Sequence, residues 1–250
     1  ISNILKLHWK PYFMKYIIGL GHELKDISIK GIEACKESDK VFLESYTSLS
    51  NFKIEELETL IGKKVHILDR SDVEEKRPFT DKSSLLIYGD PLSATTHKDI
   101  ISKKTKIIHA PSIFTSIAET GLELYKFGKT LSVTFWSENY KPESFYDYIE
   151  QNQSIDAHTL MLLDLDPINN KFLSIREALE QILSISKKRK SFINEDTKFI
   201  LCARIGMNDS VIKYASYNEI KNFDFGKAPF CIVLPGKLSF VEKELLTKLD

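Results

Sequence analysis

Short, uninterrupted apolar runs recur along the chain and alternate with amphipathic stretches. Such runs predict strands covered on both faces, as in parallel α/β sheets, because a strand with one wet face would alternate apolar and polar residues. The predicted strands form two groups. The first group comprises residues 16–20, 41–46, 65–68, 85–88 and 107–109, and the second comprises residues 131–136, 159–165, 199–203 and 230–234.

Capping signals mark helices between these runs. Ser28 can cap a helix over 29–38, a helix over 54–61 ends at Gly62, and Ser174 and Ser239 each open a Ser-x-x-Glu capping box. The pattern changes near Gly128, after which the chain is richer in strands. We therefore predict an α/β fold of two α/β domains, residues 14–128 and 129–250, with a cleft between them. Residues 1–13 are predicted to be an N-terminal extension outside the fold.

Composition narrows the range of functions. Lys and Arg number 35, as do Asp and Glu, so the 250-residue chain has no overall field to attract nucleic acid or an anionic membrane. No apolar run is long enough for a transmembrane helix. Three widely spaced cysteines form neither a disulfide framework nor a zinc pattern, which indicates a reduced compartment, the cytoplasm. No pair of histidines has the spacing of metal ligands on a helix, so we predict no metal site.

Gly19-Leu20-Gly21 follows the first predicted strand, and such glycines let a ligand or another backbone approach closely. A dinucleotide fingerprint would require Gly or Ala at position 24, where Leu24 stands. Glu44 ends the second predicted strand, where an acidic residue can bind a ribose. A nicotinamide oxidoreductase is therefore one alternative, and a tight turn without a ligand is another.

Gly89-Asp90-Pro91 ends the apolar run at 85–88. Pro91 fixes its own backbone and excludes the helical conformation for Asp90. The Asp90 carboxylate is thereby held at the carboxyl end of a central parallel strand, where open α/β sheets bind ligands. The small residues 93–96 leave space and offer hydroxyl groups, although a threonine among them can simply cap a helix. Ser112 raises the same choice between capping and ligand binding at the next strand end.

Several segments, taken in order, resemble the diphthine synthase family of the tetrapyrrole-methylase-like superfamily. They are YIIGLG, DISIKGIEACKESDKVFLESYTS, GDPLSATTH, HAPSI, GLELYKFG, KPESFYDYI, HTLMLLDLD, ARIG and PGKLSFVEKELL. GDPLSATTH together with LESYTS is the most specific part. The resemblance runs from Met14 to the C-terminus, and FWSENYKPESFYDYI is more similar to the eukaryotic than to the archaeal branch.

The resemblance implies a methyltransferase of diphthamide biosynthesis with S-adenosyl-L-methionine bound between two α/β domains. Its substrate would be a histidine of elongation factor 2 that carries a 3-amino-3-carboxypropyl group, and S-adenosyl-L-homocysteine would be the second product. A cytoplasmic homodimer is also implied. The archaeal branch adds three methyl groups and the eukaryotic branch a fourth as an ester; the sequence leaves both open.

The family's cofactor positions fall here on His22, Asp90, Ser93, Ser112, Ile113, Leu163, Ile205 and Phe230. Three of them differ from the usual residue type, since His22 replaces Leu, Ser93 replaces Gly and Phe230 replaces His. Asp90 would be an electrostatic partner for the positive groups of the cofactor, and no catalytic residue is assigned. Two alternatives remain within the resemblance: an enzyme that acts on a tetrapyrrole, and a binding module whose cofactor site is altered at His22 and Phe230.

Overall fold

The computed structural model describes residues 15–45, 51–69, 71–72, 78–93, 101–167 and 169–249. The chain forms two compact units, Ile1–Ser112 and Ile113–Asp250. The sequence places this division later, at Gly128, but residues 113–128 belong to the C-terminal unit because Ile117 and Leu122 pack with Leu246. The predicted extension over 1–13 and the threonines within 93–96 lie outside the described residues.

The N-terminal unit contains a fully parallel sheet in the order β3-β2-β4-β1-β5. Its strands are β1 (Lys15–Gly19), β2 (Lys40–Glu44), β3 (Val65–Leu68), β4 (Ser83–Ile87) and β5 (Thr105–Ile108), and its helices are α1 (Ile29–Glu37) and α2 (Ile54–Ile61). The central position predicted for the strand before Asp90 is confirmed, since β4 is the third of five strands. All five carboxyl ends therefore meet at one edge of the sheet.

Continuous apolar runs arise in this sheet because both faces are buried. Ile18 lies on the face that packs with Cys35 of α1 and Leu57 of α2. Its neighbour Ile17 points to the opposite face and packs with Phe79, as strand alternation requires. The predicted helix signals are also confirmed: the Ser28 side chain accepts a hydrogen bond from the Gly31 N–H at the start of α1, and the left-handed Gly62 ends α2.

The C-terminal unit contains a mixed sheet in the order β11-β10-β12-β7-β6. Its elements are α3 (Ile113–Ser116), β6 (Leu131–Val133), α4 (Ser144–Ser154), β7 (Thr159–Leu163), the short hairpin of β8 (Leu165–Asp166) and β9 (Lys171–Phe172), α5 (Ile175–Arg189), β10 (Lys198–Ala203), β11 (Val211–Ser216), β12 (Phe230–Leu234) and α6 (Phe240–Leu246). Only β6 and β7 pair in parallel; β12 runs antiparallel to β7 and β10, and β11 antiparallel to β10.

The prediction of parallel pairing is therefore wrong for most of the second sheet. Helices α4 and α5 cover one face, where Met161 is buried, and Leu246 of α6 packs on the other, where Leu160 is buried. Burial on both faces produces an apolar run whichever way the strand points. The capping boxes at Ser174 and Ser239 are confirmed. No helix within the described ranges is long and apolar enough to cross a membrane.

Candidate functional site

Asp90 joins two strand ends in the N-terminal unit. Its Oδ1 accepts hydrogen bonds from the Leu92 N–H at 3.0 Å and from the Ser93 hydroxyl at 3.3 Å. Its Oδ2 lies 2.7 Å from His109 Nδ1 and accepts a hydrogen bond from the Ala110 N–H at 3.3 Å. The carboxylate thus ties the turn after β4 to the segment after β5.

The Asp90 side chain is buried and ionised. Burial by itself would raise the pKa of Asp90, but hydrogen bonds from the Leu92 N–H, His109 and the Ala110 N–H outweigh it and hold the pKa below its usual value. A carboxylate offers about four acceptor positions. Protein donors occupy all four, which makes Asp90 an organiser of the surrounding backbone.

Gly19 lets the ends of β1, β4 and β5 approach closely. A Cβ at this position would lie 2.6 Å from the Gly89 carbonyl oxygen, 2.8 Å from Ala110 Cβ and 2.9 Å from Pro91 Cδ. Gly89 has a positive φ of 69°, and among the described residues a Cβ there would meet only Ser112, at 3.7 Å or more. Gly19 therefore serves the close packing of the strand ends.

The four predicted positions of the N-terminal unit all lie at the carboxyl ends of its strands. His22 follows β1, and its N–H donates to Asp26 Oδ2 at 2.9 Å. Asp90 and Ser93 follow β4, and the buried Ser112 follows β5. This edge is polar, with hydroxyl groups and backbone amides around an ionised carboxylate that is hydrogen-bonded within the protein.

The four predicted positions of the C-terminal unit are all apolar. Leu163 ends β7, Ile205 follows β10 and Phe230 begins β12. Because Cys231 pairs with Leu162 in antiparallel register, Phe230 lies beside Leu163 at one edge of the sheet. Ile113 opens α3 and packs in the same apolar cluster as Ile205. The predicted cofactor positions are thus polar in the N-terminal unit and apolar in the C-terminal unit.

Comparison with known proteins assigns a family. No family model matches the chain. It is 40% identical to the diphthine synthase of Methanococcus aeolicus, over 94% of this chain and 98% of that protein, and 39% identical to that of Methanocaldococcus jannaschii with the same coverage. The chain belongs to the diphthine synthase family. A crystal structure of diphthine synthase is similar to it with a TM-score of 0.83 and 36% identity, covering 94% of this chain and 95% of that one.

Membership of the diphthine synthase family confirms the resemblance seen in the sequence and the α/β fold class. It also decides against the nicotinamide oxidoreductase suggested by Gly19, Gly21 and Glu44. The packing around Gly19 explains why a glycine pair occurs here without the rest of a dinucleotide fingerprint.

One feature of this protein was not predicted from the sequence. A cavity of about 290 Å³ adjoins Phe230 and is lined by residues from the start of α5 and from the loop before β12. The available signal was the run Phe223-Asp224-Phe225-Gly226, which alternates aromatic and acidic residues outside any strand. Its partner Arg176 is far away in sequence, and only the fold brings the two segments together.

A buried titratable cluster lies at the opposite edge of the second sheet, where β7 begins. His158 Nδ1 accepts a hydrogen bond from the Gly236 N–H at 2.9 Å, so its Nε2 carries the proton and donates to Glu242 Oε1 at 2.9 Å. Both side chains are completely buried. Burial lowers the pKa of His158 below its usual value, so the ring stays neutral.

Glu242 receives three further donors from the same neighbourhood. The Glu123 N–H donates to Oε1 at 3.0 Å, the Ser239 N–H donates to Oε2 at 2.7 Å, and Lys126 Nζ pairs with Oε2. Burial would raise the pKa of Glu242, but these bonds lower it to about 2. Because every acceptor is occupied, we interpret this cluster as the anchor of α6 rather than as a reaction site.

Proposed function

We propose that this protein transfers methyl groups from S-adenosyl-L-methionine to the amino group of a 3-amino-3-carboxypropyl-modified histidine of elongation factor 2. The observation that carries the proposal is the match to diphthine synthases along 94% of the chain. Membership of that family makes the protein a methyltransferase of diphthamide biosynthesis. We further propose that the two compact units are two α/β domains, that the protein is a cytoplasmic homodimer, and that elongation factor 2 is its protein substrate.

The eight predicted positions have the chemistry that the methyl donor requires. S-adenosyl-L-methionine supplies a methyl group on a sulfonium, a good leaving group. We propose that the polar edge around Ser93 and Ser112 binds the charged amino-acid part of the donor. The apolar edge at Leu163, Ile205 and Phe230 suits the apolar parts of the donor, namely the adenine ring and the carbon atoms bonded to sulfur. Asp90 contributes by fixing the backbone amides after β4 and β5, since its own oxygens already have partners.

The acceptor nitrogen must release a proton to solvent before each transfer, because only the neutral amine has a lone pair for attack. That lone pair forms the N–C bond while the S–C bond breaks, and the electron pair of the S–C bond stays on sulfur. The chain's main contribution is to position the nitrogen in line with the methyl group, which in well-oriented systems supplies ~7–11 kcal/mol.

The test is methylation of the protein substrate. Purified protein, S-adenosyl-L-methionine and elongation factor 2 carrying the unmethylated modification should give mass increments of one methyl group each. Three increments would indicate the archaeal limit, and a fourth that is lost on mild alkaline hydrolysis would indicate an ester. An unchanged mass with wild-type protein would refute the proposal.

A further inference from the structure

The cavity beside Phe230 is lined by both aromatic and charged residues. Phe223, Phe225 and Phe230 line it together with the charged residues Arg176 and Asp224. Phe230 begins β12 opposite Ala203, at the sheet edge that also carries Leu163 and Ile205. The cavity therefore adjoins one of the proposed donor-binding positions, so an acceptor bound in the cavity would lie next to the donor.

Both charged groups keep unused bonding capacity. The Arg176 guanidinium has five N–H donors, and one nitrogen donates to the Lys221 carbonyl oxygen. Asp224 Oδ1 accepts a hydrogen bond from the Gly226 N–H at 2.8 Å. Asp224 Oδ2 has no hydrogen-bond partner among the described residues. The residues that line the cavity thus include one cation, one anion and three aromatic residues.

The wall that carries the aromatic residues is held in place by Arg204. Its Nη1 donates to the Phe225 carbonyl oxygen at 3.0 Å and also to the Lys227 carbonyl oxygen. Phe223 and Phe225 meet edge to face, with ring centroids 4.7 Å apart. Lys213 Nζ lies 5.2 Å from the Phe223 centroid, so this ring already attracts a cation. A wall fixed in this way loses little freedom when a ligand binds.

We propose that this cavity binds the amino-acid head group of the modified histidine; the inference rests on the proposed function. The head group is a zwitterion, with a carboxylate and an ammonium on the same carbon. Arg176 would pair with the carboxylate. The Phe223, Phe225 and Phe230 rings, together with Asp224, would surround the nitrogen.

Successive methylation explains why aromatic rings are the suitable lining. Each added methyl group removes an N–H donor, so a site built on hydrogen bonds to nitrogen would lose contacts at every step. Aromatic faces and a carboxylate attract a quaternary ammonium as well as a primary one. Nitrogen also gains positive charge as the N–C bond forms, so the same groups stabilise the transition state. The cavity can therefore retain the substrate from the first methyl group to the third.

The experiment compares Arg176→Gln and Phe223→Leu with matched controls outside the cavity. The controls are Lys187→Gln on the same helix and Phe192→Leu at another exposed aromatic residue. For Arg176→Gln, the KM for modified elongation factor 2 should rise about ten- to a hundredfold, because a hydrogen bond to a charged group is lost. For Phe223→Leu, mono- and dimethylated products should accumulate, because the more methylated substrate is retained less well.

Two binding measurements separate this role from a general structural defect. S-adenosyl-L-homocysteine affinity, measured by calorimetry, should stay within about twofold of wild type in both variants, since the donor positions are intact. The trimethylammonium betaine of 2-aminobutyrate, titrated into wild-type protein, should shift NMR signals of the cavity residues, and Arg176→Gln should weaken that binding.

The outcomes also separate this inference from the proposed function. Wild-type protein that leaves elongation factor 2 unmethylated would overturn both. If wild-type protein methylates the factor while both variants match their controls in KM and in product distribution, only the cavity assignment is overturned.

Discussion

Replacing Glu242 by Gln should destabilise the C-terminal unit strongly. Glu242 is fully buried and accepts from the N–H groups of Glu123 and Ser239, from His158 Nε2 and from Lys126. The amide nitrogen of Gln would face two of these donors and leave them unpaired. Two lost bonds to a charged acceptor correspond to about 3–6 kcal/mol, and breaking a buried ion pair to about 3–5 kcal/mol.

The pKa of Glu242 gives a second value for the stability that this variant would lose. Its fall from 4.5 to about 2 corresponds to about 3 kcal/mol of extra stability in the ionised form. At about 2–4 °C per kcal/mol for a chain of this size, a loss of about 3–5 kcal/mol lowers Tm by about 6–20 °C.

Differential scanning calorimetry at pH 7 measures the effect, with Glu244→Gln as the control because Glu244 is exposed on the same helix. The difference between wild type and Glu242→Gln should shrink as pH falls from 4.5 towards 2, where the wild-type carboxylate becomes protonated as well. A Tm within 2 °C of the control, or a difference that stays constant across this pH range, would refute the reasoning.

Three further predictions concern His158, Gly19 and Asp90. The Tm of wild-type protein should fall as pH drops below about 6.5, because His158 is buried neutral with a lowered pKa and the unfolded chain then binds more protons; a Tm that rises between pH 7 and 5 would contradict this. Gly19→Ala should lose about 1–3 kcal/mol in denaturant unfolding because its Cβ would meet the Gly89 carbonyl oxygen at 2.6 Å, and an unchanged free energy of unfolding would contradict this. Asp90→Asn should weaken S-adenosyl-L-homocysteine binding in calorimetry at least about tenfold while the protein stays folded, whereas the exposed control Asp39→Asn should bind normally.

Local signals predicted most of the fold. The apolar runs identified every strand of the first sheet, and the caps at Ser28, Ser174 and Ser239 are present. The strand β11 was missed because it lies at the edge of its sheet and is only partly buried, so Lys213 interrupts its apolar pattern. Pairing direction could not be read from the runs, because it depends on how distant strands associate.

The site was predicted only in part, because its contacts also depend on how distant segments associate. The Gly89-Asp90-Pro91 turn signals a ligand-binding edge by local backbone chemistry. The contact between Asp90 and His109 depends on the association of β4 and β5 with β1, their common neighbour in the sheet. The cavity beside Phe230 likewise needs α5 and the loop before β12 to meet.

The number of occupied acceptor positions distinguishes two kinds of charged residue in this protein. Asp90 and Glu242 each receive four protein donors, so neither has capacity left for a ligand and each holds backbone segments together. Asp224 has one such donor, and the Arg176 guanidinium uses one nitrogen on a carbonyl. Charged groups with spare capacity beside aromatic rings are suited to bind a zwitterion, whereas saturated ones shape the surrounding fold. This difference leads us to place the methyl acceptor beside Phe230 rather than at Asp90.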